Sequence, residues 1–100
     1  PVVEAAMLLA GKVQENSTVL TNDVPLVVYF AKAKVVHFPD ERELFEEVIR
    51  NYSVSHILIS ADEPSYPKWV WKSREKVPSE LFNSFALVKN ISGKVMIYAV

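Results

Sequence analysis

Cysteine is absent from the chain, which removes thiol nucleophiles, thiolate-held metals and disulfide staples together. The absence leaves the compartment open. Glycine is almost as scarce, with only Gly11 and Gly93. A loop that cradles a diphosphate needs glycines where the first strand turns into a helix, so that backbone N–H groups can approach the phosphates. Neither glycine stands at such a turn, so dinucleotide chemistry is not expected, nor is any other cofactor. No apolar run approaches the roughly 18 residues of a membrane span; the longest, Val24–Ala31, is about eight. No secretory leader is visible. Charge of one sign is also lacking, with 11 Lys and Arg against 12 Asp and Glu and a formal net charge of −1. Phosphate backbones demand clustered cations, so nucleic acid is not expected as a partner.

What is present suffices for one core. The 100 residues are half hydrophobic, enough for a single domain over residues 1–100 without staples. A helix is already under way at Pro1 and the sequence stops inside an apolar strand at Val100. Ends without polar tails read as a domain belonging to something longer.

Three strand-like runs end in polar turns that carry an aspartate. Thr18–Thr21 runs into Thr21-Asn22-Asp23, Lys34–Phe38 into Phe38-Pro39-Asp40, and His56–Ser60 into Ser60-Ala61-Asp62. Helix-length segments separate the runs, as parallel strands joined by crossovers require. The three acidic turns then share one edge of a sheet, the edge at which open α/β sheets hold ligands.

The helical segments are read from spacing and caps. Pro1–Gln14 carries Val2, Ala6, Leu9 and Val13 at helical intervals. Asp23 can cap a short helix with Pro25 in its first turn and Leu26–Lys32 as its body. Asp40 and Glu43 form the Asp-x-x-Glu variant of a capping box before a helix whose apolar face is Leu44, Phe45, Val48, Ile49 and Tyr52. Ala61–Pro78 reads as a long loop with Pro64, Pro67, Pro78 and both tryptophans. Ser79–Asn83 offers one helical turn. Phe85–Lys89 and Lys94–Val100 flank Asn90-Ile91-Ser92-Gly93 and read as a C-terminal β-hairpin. The expected fold is α/β: a Rossmann-like sandwich in two or three layers, on a mixed, mainly parallel sheet of about five strands.

Candidate chemistry is sparse. Asp23 and Asp40 stand where helix caps belong, which explains them without a ligand, whereas Asp62 has no evident helix to cap. His37 and His56 lie at opposite ends of their strands, offset by roughly 10 Å if the strands are neighbours, too far for a shared metal or a nucleophile–base pair. In Tyr66-Pro67-Lys68-Trp69-Val70-Trp71-Lys72-Ser73-Arg74, an extended backbone would set Trp69 and Trp71 on one face and Lys68 and Lys72 on the other. Rings beside cations suit a lipid headgroup layer or a sugar face. They equally suit two tryptophans closing the end of a small core. Asn16-Ser17-Thr18, Asn51-Tyr52-Ser53 and Asn90-Ile91-Ser92 match the N-glycosylation acceptor pattern, more often than composition predicts, and tilt the reading towards exposure outside the cytoplasm.

One resemblance runs from Ala5 to Ser60. Its carriers are Val19-Leu20-Thr21-Asn22-Asp23-Val24-Pro25-Leu26-Val27-Val28-Tyr29-Phe30 and Lys34-Val35-Val36-His37-Phe38-Pro39. Glu43-Leu44-Phe45-Glu46-Glu47-Val48-Ile49 and Tyr52-Ser53-Val54-Ser55-His56-Ile57-Leu58-Ile59 complete it. This stretch resembles the C-terminal extramembrane domain of polytopic glycosyltransferases of the dolichyl-phosphate-mannose protein mannosyltransferase and aminoarabinose-transferase type. The resemblance implies a soluble C-terminal part of a larger membrane protein on the extracytoplasmic face. Its parent would take sugar from a polyprenyl-phosphate carrier, with the catalytic carboxylate in a loop among the membrane helices. No catalytic residue carries over to this chain. Implied partners are the transmembrane portion, the membrane surface, and a polyprenyl-phosphate sugar or glycan acceptor. Asn22, Asp23, Asp62, Trp69 and Trp71 are the residues expected to touch glycan or lipid. Two other readings stay open. One is a free-standing cytoplasmic binding or regulatory module; the other is a small hydrolase holding Mg²⁺ through Asp23 and Asp62.

Overall fold

Two crossovers set the architecture. The computed structural model describes residues 2–12, 17–61, 67–72 and 77–100. Helix α1 (Val2–Ala10) precedes strand β1 (Thr18–Thr21), helix α2 (Val24–Ala31) and strand β2 (Lys34–His37). A 3-10 turn at Arg42–Leu44 then leads into helix α3 (Phe45–Asn51) and strand β3 (Val54–Ser60). The sheet order is β2-β1-β3-β7-β6, where β6 is Ala86–Ile91 and β7 is Val95–Ala99. Strand β1 is parallel to both neighbours, whereas β7 is antiparallel to β3 and β6. The expected α/β sandwich, with its mixed five-stranded sheet and closing hairpin, is the observed fold.

The chain steps from β1 to one side through α2, then back across β1 to the other side through α3. Right-handed connections in opposite directions place their helices on opposite faces. The core accordingly has two halves. Val19, Leu58, Val95 and Ile97 meet Ala5 and Leu9 of α1 and Val27 and Ala31 of α2 on one face. Leu20, Ile57, Ile59, Met96 and Tyr98 meet Phe45 of α3, with Phe38, Val70, Trp71 and Phe82, on the other. Alternation along each strand divides these sets, and burial on both sides explains the unbroken apolar run Ile57-Leu58-Ile59. The sandwich therefore has three layers.

Local chemistry fixes the ends. Ser92 and Gly93 both take positive φ (56° and 68°), and the Lys94 N–H donates to the Ile91 carbonyl at 2.9 Å. Ile91 pairs with Val95, so Ser92, Gly93 and Lys94 make the connection. Ser79 caps a 3-10 helix at Glu80–Ser84, its hydroxyl accepting from the Leu81 N–H at 3.5 Å. Between β1 and β3 the register slips by one residue after Thr18, leaving Ser55 as a bulge.

Several expectations change. Helix α1 ends at Ala10, before Gln14, and Val13 lies outside the described residues. Asp23 does occupy the N-cap position of α2 but makes no side-chain cap bond. The Asp40–Glu43 capping box does not form, because a 3-10 turn with Glu41 at its N-cap intervenes before α3. Leu44 and Tyr52 are exposed, so only Phe45, Val48 and Ile49 of the expected apolar face reach the core. Ala61–Pro78 is not all loop: it contains a 3-10 turn at Lys68–Val70 and a two-stranded ribbon of β4 (Trp71–Lys72) and β5 (Val77–Pro78).

His56 gives the fold a mild pH dependence. Desolvation by burial, and secondarily the Lys12 ammonium, hold its imidazole below the ordinary range. The folded chain then binds fewer protons than the unfolded chain as pH drops past the ordinary histidine value of about 6.5. Stability contributed by neutral His56 is complete above that pH, declines below it, and levels off below the folded pKa. His56→Gln is expected to flatten this slope in melts between pH 7.5 and 5. An NMR titration showing the imidazole at or above its ordinary value would refute the assignment.

Candidate functional site

The point where the chain reverses direction across the sheet lies between β1 and β3, at their carboxyl ends. In open α/β sheets this is where a crevice forms. Here a side chain spans it. Asn22 follows β1 and turns its amide towards β3: Nδ2 donates to the Ser60 carbonyl at 2.8 Å and the Ser60 N–H donates to Oδ1 at 2.9 Å. The amide thus behaves as one more residue of the parallel ladder. Thr21, Asn22, Asp23 and Ser60 are all buried. The Thr21 hydroxyl accepts the Asp23 N–H at 3.0 Å and fixes the turn. Asp23 gives its carbonyl to the Val27 N–H at 3.3 Å, starting α2.

The turn after β2 lies beside this one, since Thr21 is in register with His37. Phe38 enters the aromatic half of the core, and the Pro39 carbonyl accepts the indole N–H of Trp69 at 2.9 Å. The Trp69 ring stands edge-on to Phe38 (5.7 Å between centroids) and Phe45 (5.5 Å), and lies parallel to Phe82 (6.5 Å). Trp71 is buried in the same cluster, and its indole N–H meets no acceptor among the described residues. Both tryptophans therefore close one end of the core. Their extended, two-faced arrangement is not found, because Trp69 sits in a 3-10 turn while Trp71 begins β4.

The structure brings Asn22, Asp23 and the Pro39–Trp69 bond to one edge. Asp62, Tyr66 and Arg74 lie outside the described residues, as does the acceptor site at Asn16. Asn51 and Asn90 are exposed, and Asn90 Oδ1 accepts the Gly93 N–H at 2.9 Å. The histidines are further apart than neighbouring strands would put them, for β1 lies between β2 and β3. The His37 imidazole meets the Phe38 carbonyl at 2.8 Å and that of His56 meets the Ser55 hydroxyl at 3.0 Å. Among the described residues no group of three or more His, Asp or Glu side chains is placed to hold a metal.

Sequence reasoning passed over a second concavity. A cleft of about 290 Å³ on the α3 face is lined by Arg42, Glu43, Phe45, Glu46 and Leu81. Two carboxylates and a guanidinium above apolar walls could hydrogen-bond a hydroxylated ligand. No local pattern announces it, because Leu81 arrives from a distant segment.

These layers have a solved counterpart. The chain is similar to the C-terminal globular domain of oligosaccharyltransferase AfAglB-S2 from Archaeoglobus fulgidus, with a TM-score of 0.63 over 97% of this chain and 94% of that one, at 18% identity. The two share a fold. No protein-family model matches the chain, and no curated protein does. Among the described residues no helix is long and apolar enough to cross a membrane.

Proposed function

We propose that the chain is a non-catalytic extracytoplasmic accessory domain of a multi-span membrane glycosyltransferase that draws on lipid-linked sugar donors. The observation that carries this reading is end-to-end coverage of a domain described as the C-terminal globular part of an oligosaccharyltransferase. The resemblance of Ala5–Ser60 to mannosyltransferase and aminoarabinose-transferase domains supports the same class of parent. Whether the parent moves one sugar or an oligosaccharide is the finer question, and the fold likeness favours the oligosaccharide.

The site geometry is compatible with an accessory role. Asn22 is committed to Ser60 and the Trp69 N–H to Pro39, so these two groups organise the edge. Among the described residues the Asp23 carboxylate makes no such bond to another part of the fold, and it is the group we assign to glycan or lipid contact, together with Asp62. Membrane attachment on the extracytoplasmic face follows from the same reading. The transmembrane portion of the parent is then the main partner.

Two measurements decide. Coding DNA upstream of Pro1 should continue in frame into several apolar spans; a start codon directly before it would favour the free-standing cytoplasmic module instead. A titration of the ¹⁵N-labelled chain with a short polyprenyl phosphate should move the amides of residues 21–23 and 60–61. Saturable Mg²⁺ binding in calorimetry, with no response to the lipid phosphate, would favour the hydrolase reading.

A further inference from the structure

The α1–α2 layer is apolar on both sides. Helix α1 turns Ala5 and Leu9 inward and leaves Met7 61% exposed; α2 turns Val27 and Ala31 inward and leaves Val28 and Tyr29 51% and 75% exposed. Helix α2 has no charged residue at all, and α1 has only Glu4. A helix apolar all round is built for burial on every side, and exposed patches of this kind mark contact surfaces.

Charge is gathered at one end of that surface. Lys12 follows α1, Lys32 caps the C-terminus of α2 in the left-handed conformation, and Lys34 opens β2; all three are exposed. The Lys34 N–H donates to the Ser17 carbonyl at 3.1 Å, while Lys12 is near enough to act on His56, the partner of Val19. Lys12 and Lys32 thus share the amino-end edge of the strands on this side, whereas Lys34 alternates with Val35 and stands on the α3 side of the sheet. Glu4 lies about 12 Å away along α1, at 1.5 Å per residue. Glu15 follows Lys12 outside the described residues. Across the sheet, the α3 layer is acidic: Asp40, Glu41, Glu43, Glu46 and Glu47 are exposed there, against Arg42 and Arg50.

We propose that the outer face of α1 and α2, with Lys12 and Lys32 at its rim, docks on an anionic lipid bilayer. Met7, Leu8, Val28 and Tyr29 enter the headgroup boundary while the ammoniums meet lipid phosphates. The phenol of Tyr29 suits that level, since its ring is apolar and its hydroxyl wet. The acidic α3 layer is repelled and faces away, so the charge distribution sets one orientation. A second copy of the chain fits less well, because its matching face offers one carboxylate, Glu4, against two ammoniums. The membrane also takes over a role that the sequence suggested for Trp69 and Trp71, whose rings are spent on the core. This inference takes the nearness of a membrane from the accessory reading, but its test contains no transferase, so the two fail separately.

The test is flotation with phosphatidylcholine vesicles, with and without roughly one-quarter phosphatidylglycerol. The chain should partition to the anionic vesicles and release with salt. Lys12→Gln and Lys32→Gln together should weaken partitioning about 25-fold, since each cation near such a surface is worth about a factor of five, whereas Lys34→Gln on the α3 side should change it little. These positions are exposed, and an unchanged melting curve will show that the variant folds. Because the chain has no cysteine, a dye on Val28→Cys reports one place: its emission should shift to the blue on anionic vesicles, while the same dye on Glu46→Cys should not respond. Equal partitioning to neutral vesicles, or a response from Glu46→Cys alone, would overturn the proposal. So would a dimer in sedimentation equilibrium that Tyr29→Ser dissolves, for then a second copy covers the face.

Discussion

Phe45→Ala is expected to destabilise the chain by about 4 kcal/mol, within the range for deleting a fully buried phenylalanine side chain. Phe45 is the buried residue of α3. Its ring meets Phe38 at 6.4 Å, Trp69 at 5.5 Å, Phe82 at 5.4 Å and Phe85 at 6.0 Å. Those partners arrive from the β2 turn, the Lys68–Val70 turn and the Glu80–Ser84 turn with its C-terminal flank. Removing one ring therefore loosens three loop segments and the helix that crosses over β1. For a domain of this length the melting temperature should fall by about 20 °C. Phe45→Leu keeps most of the volume and should lose about a third as much. Equilibrium urea melts followed by tryptophan fluorescence read both numbers. A loss below about 1 kcal/mol for Phe45→Ala would mean that α3 is held by something other than this cluster.

Such a cluster is hard to foresee, and the reason separates what was legible from what was not. The three parallel strands were legible because each is short, apolar and closed by a polar turn, and because the gaps between them are crossover-sized. The hairpin was legible because two apolar runs flank the polar, glycine-bearing stretch Asn90-Ile91-Ser92-Gly93. Order within the sheet was not: nothing local tells β3 to pair with β1 and leave β2 at the edge. The destination of Trp69 was hidden for a similar reason, since its acceptor is a proline carbonyl 30 positions earlier. Cap chemistry misled in a more instructive way. Asp23 stands at an N-cap position as its sequence context implied, yet it is Thr21 that supplies the side-chain acceptor in that turn, using the Asp23 N–H itself. Asp40 is displaced from its expected role by one extra turn of 3-10 helix.

The candidate edge shows the same division. Its location followed from strand polarity alone, because parallel strands deliver their terminal turns to one side. The employment of its residues did not follow. Asn22 looked available for a ligand because it is polar and follows a strand end. Its partner, Ser60, is 38 positions away and becomes adjacent only once β1 and β3 are paired. A residue that completes a ladder and a residue that waits for a sugar are the same letter in the sequence.

Asn22→Leu separates those two roles. If the amide acts as a ladder residue, its loss leaves the Ser60 N–H and carbonyl without their partner in a buried place. Each stranded backbone group costs about 1–3 kcal/mol, so a loss of about 3 kcal/mol is expected, with lost hydrogen-exchange protection at the Ser60 amide. Asn22→Asp sharpens the test. One carboxylate oxygen can still accept from Ser60 N–H, but the other faces the Ser60 carbonyl, where a donor is needed. Protonation restores that donor, so the folded state raises the pKa of the new carboxyl above its unfolded value. The sign is then fixed: the variant approaches wild-type stability at low pH and loses it as pH rises through the folded pKa. A ligand-binding asparagine would behave otherwise, leaving melts of both variants near wild type while abolishing the lipid-phosphate response of residues 21–23. The ladder role predicts the reverse order of events, in which the β1–β3 junction opens first and any binding at the edge fails because its floor has moved.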